Sequence, residues 1–180
     1  MNSTFACAHR VKFDLFQKYG WIAAAGDRHL AEFMPPIYLK DPQTVASWKF
    51  GLTTVTWRKE DLKKRLEKSK RLVSGEEQVE LNPSGEEGIL LIKALCGLTR
   101  VISNVNIPNT AGQIPNLPKS AVVETNAVFS RDSIAPVYAG NLTEEIRQLM
   151  LPHVMNHEDV LKAALTCDYE IMLRAFRRDP

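Results

Sequence analysis

Four side chains that can bind a ligand or transfer a proton lie close together in one short segment. The segment "GDRHLAEF" holds Asp27, Arg28, His29 and Glu32. Asp27 is expected to cap a short helix from Arg28 to Met34, on which Arg28 and Glu32 share a face because they are four residues apart. An ion pair and a helix cap account for part of this set. The small residues "AAAG" that precede it let the backbone come close to another group, so a structural role and a ligand-binding role both stay open.

A second candidate is the loop between two strand-like runs, in "NVNIPNTAGQIPNLPKSAVVETNAVF". Its amides can each donate and accept hydrogen bonds, which suits a polyhydroxylated ligand; they are Asn104, Asn106, Asn109, Gln113 and Asn116. Three prolines stiffen the loop and reduce the entropy lost when it is ordered. The alternative is a loop whose Asn side chains satisfy its own backbone.

A pair of histidines, His153 and His157, has the spacing of a zinc-binding helix. Residues four apart place both imidazoles on one face. However, Pro152 is expected to make this the first turn of the helix, and no third ligand follows at a suitable spacing. A surface or interface role is therefore favoured over a metal site.

Other patterns exclude several classes of function. The sequence holds no G-x-G-x-x-G, P-loop or G-x-S-x-G motif, so a nucleotide site formed by this chain alone is not predicted. The net charge of +2 gives no case for nucleic acid or a membrane surface, and "MNSTFACAHRVKFD" is not a secretory signal. Cys7, Cys96 and Cys167 are widely spaced, which is typical of the cytoplasm, with Cys96 expected in the core.

The elements that position these residues are mainly helical. "RVKFDLFQKYG" is expected to be a helix that Gly20 ends, and "RKEDLKKRLEKSKRL" a charged, solvated helix. In "NPSGEEGILLIKALCG", Ser84 and Glu87 suggest a capping box. The helix Gly85–Leu95 that follows is apolar on nearly all sides, which predicts that it is buried.

One small sheet is expected in the second half of the chain. Strands are predicted near Arg100–Ile107 and Ala121–Ser130, with "SRDS" as a turn and "IAPVYAG" as a returning strand. Asn141 and Glu144 are expected to cap the first of the helices that form the last third. The predicted fold class is α+β: a helix-dominant lobe with a small mixed or antiparallel sheet.

Four segments taken in order resemble a known family. They are "VKFDLFQKYGWIAAAGDRHLAEFMP", "PSGEEGILLIKALCG", "VNIPNTAGQIPNLPKSAVVETNAVFSRDSIAPVYAG" and "LPHVMNHEDVLKAALTCDYEIMLRAF". Together they resemble the C-terminal half of family 4 glycoside hydrolases, in the branch of α-galacturonidases and α-galactosidases. The resemblance makes residues 11–180 the substrate-side domain and residues 1–10 a polar lead-in cut from a longer chain, with the Rossmann domain absent.

The resemblance implies an enzyme that depends on NAD and Mn²⁺ and hydrolyses α-galacturonides or related α-galactosides. In this family NAD⁺ oxidises the sugar at C3, a base removes the acidified C2 proton with help from the metal, and elimination, water addition and reduction follow. The motifs for NAD and for the metal have no counterpart here, so no cofactor or metal is expected on this chain alone. The alternative is a non-catalytic lobe that serves binding or oligomerisation.

The resemblance also assigns site residues. Arg28 and His29 are the expected substrate contacts, since "GDRHLAEF" lines the sugar pocket in the family and Arg28 suits a uronate carboxylate. Asn109 is the next contact. Tyr19 lies near the position of the base, although a helix-end aromatic packed on Gly20 is the alternative. The expected partners are a small sugar or sugar acid and further copies of the chain.

Overall fold

The computed structural model describes residues 9–82 and 84–180. The chain divides into two compact units, Met1–Gly85 and Glu86–Pro180, which are treated separately below. Most of the predicted lead-in at residues 1–10, including Cys7, lies outside the described residues.

The first unit is helical. Its elements are α1 (Arg10–Tyr19), α2 (Asp27–Glu32), α3 (Pro35–Tyr38), α4 (Pro42–Trp48) and α5 (Val55–Ser74). As predicted, α1 ends at Gly20, whose φ of 73° is the left-handed conformation that glycine adopts without strain. Asp41 caps α4, its carboxylate accepting from the Thr44 N–H at 2.7 Å.

The core of the first unit forms where α1, α2 and α3 meet. Val11, Leu30, Ala31 and Tyr38 are buried there. Trp48 packs edge-on against the Tyr38 ring, with ring centroids 4.9 Å apart. The helix α5 has no buried residue, which agrees with the prediction of a charged, solvated helix.

The second unit combines a three-stranded sheet with three helices. Its elements are α6 (Gly88–Leu95), β1 (Val101–Pro108), a 3-10 turn (Asn109–Ala111), β2 (Val122–Ser130), β3 (Ser133–Pro136), α7 (Glu144–Thr166) and α8 (Tyr169–Arg178). The strand order is β1-β2-β3 and both pairings are antiparallel. The predicted strands, turn and helix-dominant α+β class are confirmed, and the sheet is antiparallel rather than mixed.

One face of this sheet builds a core. Along β2 the burial alternates, so that Val123, Thr125, Ala127 and Phe129 point inward. Ala94 of α6 is fully buried against this face together with Ala127 and Phe129. The alternation of inward and outward side chains along β2 therefore determines which face of the sheet packs against α6.

The prediction that α6 is buried on all sides is wrong. Ile89, Leu90 and Ile92 are 67%, 42% and 56% exposed, whereas Ala94 is fully buried. Because α6 lies on one small sheet, only the face that contacts the sheet is covered. The start of this helix also differs from the prediction: α6 begins at Gly88 rather than Gly85, and Glu87, the residue that precedes it, accepts a hydrogen bond from the Ser103 hydroxyl.

Two further predictions near these helices need correction. Cys96, expected in the core, is exposed, because it follows the last residue of α6, where the sheet no longer covers the chain. The residue that precedes α7 is Thr143 rather than Asn141, and it makes no side-chain capping bond.

The helices α7 and α8 form a hairpin. α7 continues through Pro152, so the predicted helix start at this proline is wrong. Ion pairs tie α8 back to α7: the carboxylate of Asp159 accepts from Arg174 at 2.6 Å and from Arg178 at 2.9 Å. Within the described ranges, none of the helices is long and apolar enough to cross a membrane.

Candidate functional site

The segment "GDRHLAEF" is anchored by Asp27, which caps a different helix from the one predicted. Its two carboxylate oxygens accept from the N–H groups of Val11 at 3.0 Å and Lys12 at 3.1 Å, in the first turn of α1. Gly26 is the residue that precedes α2, without a side-chain cap. A helix N-terminus has free N–H groups and a positive dipole end, so a buried carboxylate is well placed there. Asp27 thus joins the start of α2 to the start of α1.

Arg28 follows directly and is half-buried. Its Nη1 donates a hydrogen bond to Thr53 Oγ1, which holds the guanidinium near the segment that precedes α5. Among the described residues, no carboxylate forms an ion pair with Arg28. The expected pairing of Arg28 with Glu32 is therefore not observed, and the cation keeps the capacity to bind an anionic group.

His29 is exposed beside Arg28. Its Nε2 lies 3.4 Å from Arg28 Nη2, and its Nδ1 lies 3.6 Å from Glu32 Oε2. Since a guanidinium can only donate, Nε2 accepts, and the Nδ1 proton faces the Glu32 carboxylate. Both contacts are long and both the His29 and Glu32 side chains are more than half exposed, so the imidazole stays accessible to solvent. An accessible arginine and imidazole are brought together at the first turn of α2, as the sequence predicted.

Tyr19 is the last residue of α1 and is half-buried. A different tyrosine of this unit has the more perturbed hydroxyl: burial, together with a 2.5 Å hydrogen bond to Asp14 Oδ2, raises the pKa of Tyr38. Burial alone would raise the pKa of Asp14, but hydrogen bonds from Lys18 and Tyr38 outweigh it and lower that pKa. Tyr38 is a core residue held in its neutral form.

The Asn-rich loop of the second unit is organised from within. Asn109 is fully buried, and its amide nitrogen donates to the carbonyl oxygens of Ile114 at 2.8 Å and Leu117 at 3.1 Å. Its amide oxygen accepts from the Ile114 N–H at 3.0 Å. Asn116 acts similarly, since it exchanges two hydrogen bonds with the backbone of Leu142. These contacts match the alternative in which Asn side chains satisfy the loop's own backbone.

The amides of the strands differ from those of the loop. Asn104 and Asn106 are exposed on the outer face of β1, opposite Asn126 and Glu124 of β2 respectively. Of the five candidate amides, these are the two that are exposed in the described conformation. Asn109 is reachable only if the loop opens, and its contact with a sugar stays a prediction.

The two histidines share α7 as their spacing suggested. Burial lowers the pKa of His153, an effect that Asp179 opposes and His157 reinforces. His157 borders a groove of about 260 Å³ together with Ser120, Ala121, Val122, Val154, Glu158 and Leu161. Within residues 9–82 and 84–180 no three His, Cys, Asp or Glu side chains come together in a way that could hold a metal ion.

A match along the whole sequence places the chain in a known family. The sequence matches the C-terminal domain of family 4 glycosyl hydrolases over residues 1–180, and the chain belongs to this family. Similar curated proteins include the α-galacturonidases of Lachnoclostridium phytofermentans, 67% identical over 99% of this chain and 39% of that enzyme, and of Bacillus subtilis, 46% identical over 99% and 39%. The chain thus spans about two fifths of their length.

Solved structures agree with this assignment. The crystal structure of the lplD protein of Bacillus subtilis, described as a glucosidase, has a TM-score of 0.87 and 46% identity over 99% of this chain and 40% of that chain. A 6-phospho-α-glucosidase from gut microorganisms, solved with NAD and Mn²⁺, has a TM-score of 0.65 and 16% identity over 93% and 37%. At that identity the second structure shows only the shared fold.

Proposed function

We propose that this chain is the substrate-side lobe of an NAD- and Mn²⁺-dependent glycosidase that hydrolyses α-galacturonides or related α-galactosides. The observation that carries the proposal is the 67% identity with an α-galacturonidase along nearly the whole chain. Arg28 supplies the chemistry that distinguishes a galacturonide from a galactoside, because only the galacturonide has a carboxylate on the sugar.

Arg28 suits this task for three reasons. It is half-buried, so a bound carboxylate would be partly shielded from water and from salt. Its bond to Thr53 fixes the guanidinium before the ligand arrives, which lowers the entropy cost of binding. The planar guanidinium has five N–H donors and can bind a carboxylate through two parallel hydrogen bonds.

The neighbouring residues complete the proposed contacts. We propose that His29, which is exposed beside Arg28, exchanges its long contacts with Arg28 and Glu32 for a hydrogen bond to a sugar hydroxyl. Tyr19, at the end of α1, is the candidate for the base that accepts the C2 proton. Asn109 uses its amide within the loop in the described conformation, so Arg28 and His29 are the contacts we propose to test first.

The described residues of this chain do not fit a metal ion or NAD. They include no cluster of three potential ligands, and the sequence has no glycine-rich motif that could bind a pyrophosphate at a helix N-terminus. We therefore assign both groups to the three fifths of the relatives' length that this chain does not span.

A chimera tests the proposal. The 180 residues replace the matching segment of the Lachnoclostridium phytofermentans α-galacturonidase, and hydrolysis of p-nitrophenyl α-galacturonide and α-galactoside is measured with NAD⁺ and Mn²⁺. We expect activity on the galacturonide. Arg28→Ala should lower kcat/KM on the galacturonide by about 100-fold, as expected for a charge-assisted hydrogen bond pair, and change the galactoside rate much less.

Two matched variants sharpen the chimera experiment. Arg28→Lys keeps the charge without the two-pronged geometry and should recover part of the loss. Arg58→Ala removes an exposed arginine from α5 and should have no effect. Equal losses on both sugars in Arg28→Ala would contradict carboxylate recognition, and a folded but inactive chimera would contradict the substrate-side assignment.

A non-catalytic binding or oligomerisation module is the second candidate. It is kept as the alternative because these 180 residues span 39% of the length of the α-galacturonidase that they resemble. The genomic sequence directly upstream distinguishes the two candidates: an in-frame strand, G-x-G turn and helix within about 250 codons supports the enzyme, since this unit is the NAD-binding fingerprint. We also propose that the chain forms a homo-oligomer.

A further inference from the structure

One side of α8 carries large apolar side chains that are exposed. Tyr169, Met172 and Phe176 are 63%, 37% and 71% exposed. Positions i, i+3 and i+7 of a helix lie in one line along its surface, and these three residues define what we call the α8 stripe. Ala175 is buried and Arg178 bonds to Asn156 of α7, so the stripe is not the side of α8 that packs on α7.

The charges beside the stripe indicate which partner fits. Glu170 and Arg177 lie on the same flank of the stripe, seven residues apart, which is close to two helical turns. Neither forms a salt bridge with another of the described residues. An acidic and a basic side chain at opposite ends of one flank are complementary to the same flank of an identical helix that runs in the opposite direction.

We propose that α8 pairs in antiparallel fashion with α8 of a second copy of this chain, about a two-fold axis near Met172 and Leu173. This pairing sets Tyr169 against Phe176 of the second copy, and Glu170 against Arg177 of the second copy. Each contact occurs twice, as a two-fold interface requires. The pairing specifies the surface of the proposed homo-oligomer and does not depend on the glycosidase assignment.

The area that the α8 stripe can bury indicates how stable the dimer would be. An aromatic side chain buries about 150–250 Å² when fully covered. With about two thirds of that area still available, the four aromatic side chains of a dimer would bury about 400–650 Å². This lies below the roughly 1,200 Å² of a stable interface, so the dimer should dissociate at micromolar concentrations.

A charge-swap experiment on the 180-residue chain tests the pairing. Sedimentation equilibrium between about 5 and 200 μM should show the wild type in a monomer–dimer equilibrium. Glu170→Arg and Arg177→Glu should each weaken the dimer at least tenfold, because like charges then face each other across both contacts. A 1:1 mixture of the two variants should associate again, because every facing pair is then of opposite charge.

The controls separate pairing from folding. Lys64→Glu makes the same change in net charge as Arg177→Glu on the exposed helix α5 and should leave the dimer unchanged. Phe176→Ala should weaken it without altering any charge, and circular dichroism confirms that each variant keeps its helices. A wild type that is monomeric at 200 μM, a dimer insensitive to the single reversals, or a mixture that does not associate would each overturn the proposal.

Discussion

Asp27 illustrates how a carboxylate beside candidate ligand-binding residues can have an architectural role. It accepts two backbone hydrogen bonds from the first turn of α1, across a separation of 15 and 16 residues. Arg28 and His29 follow it directly in the chain, so the bond that joins α2 to α1 also sets where these two side chains lie. The position of both side chains therefore depends on a neighbour whose own carboxylate is buried.

Replacing Asp27 should destabilise the first unit. Asp27→Ala removes a helix cap and leaves one buried and one partly buried N–H group without its acceptor, so the free energy of unfolding should fall by about 2 kcal/mol. Asp27→Asn keeps one acceptor oxygen and should lose about half as much. All three tryptophans of the chain (Trp21, Trp48 and Trp57) lie in this unit, so urea unfolding followed by tryptophan fluorescence reports on it selectively.

The control for this experiment is Glu32→Ala, on the exposed side of the same helix. It should change the free energy of unfolding by less than about 0.5 kcal/mol, as is usual for surface positions. If Asp27→Ala were no more destabilising than Glu32→Ala, the capping contact would not contribute to stability.

The stability of the α7–α8 hairpin should depend on pH because of the carboxylate of Asp159. Hydrogen bonds from Arg174, opposed by partial burial and reinforced by Arg178, lower the pKa of Asp159 to about 2 from 3.8. A depressed pKa means that the folded state binds the proton less readily than the unfolded state. The stabilisation is therefore complete above pH 4 and is lost as the pH falls from about 4 to about 2.

Helix content measured by circular dichroism between pH 6 and pH 2 checks this prediction. Other carboxylates titrate in the same range, so the informative quantity is the difference between the wild type and Asp159→Asn. The variant should be less stable at pH 6 and should converge with the wild type near pH 2. A constant difference between the two proteins across this range would count against the ion pairs.

The two sides of α6 should respond differently to substitution. Ile92 is 56% exposed, so Ile92→Lys should change the stability of the second unit by less than about 0.5 kcal/mol. Ala94 is fully buried against the sheet, and Ala94→Leu should cost about 1–3 kcal/mol through overpacking. Urea unfolding followed by circular dichroism distinguishes the two. A large loss of stability in Ile92→Lys would show that this side of α6 is covered within the chain.

The proposed chemistry requires NAD and Mn²⁺, for which the described residues of this chain offer no suitable binding site. The reaction needs a cofactor held against the sugar, and the protein's task is that positioning. We therefore expect no detectable hydrolysis of p-nitrophenyl α-galacturonide by the isolated chain, even with NAD⁺, Mn²⁺ and a thiol reductant. Loss of positioning and of metal assistance should each remove several powers of ten in rate. The intact Lachnoclostridium phytofermentans enzyme, assayed in parallel, is the control.

Turnover by the isolated chain that requires added NAD⁺ and disappears in Arg28→Ala would contradict this expectation. Such a result would mean that the cofactor binds to a surface without a glycine-rich turn. Weak binding of galacturonate without turnover would instead agree with a substrate-side lobe.

Elements with strong local signals could be predicted from the amino-acid order alone. Three such signals each depend on only a few neighbouring residues. They are the glycine that ends α1, the alternation of burial along β1 and β2, and the polar turn between β2 and β3. Their effect therefore does not depend on the rest of the fold. The resemblance to family 4 glycoside hydrolases also rests on sequence blocks and is confirmed by the family match.

Other features depend on residues that are far apart in the chain. Nothing near Asp27 indicates that its carboxylate binds the start of α1, and nothing near Arg28 points to Thr53, which lies 25 residues away. For α6, composition predicted burial, but a helix is covered only where another element lies against it, and here the sheet covers one side. The order of residues sets which faces are apolar, whereas only the packing of distant elements decides which of those faces leaves water.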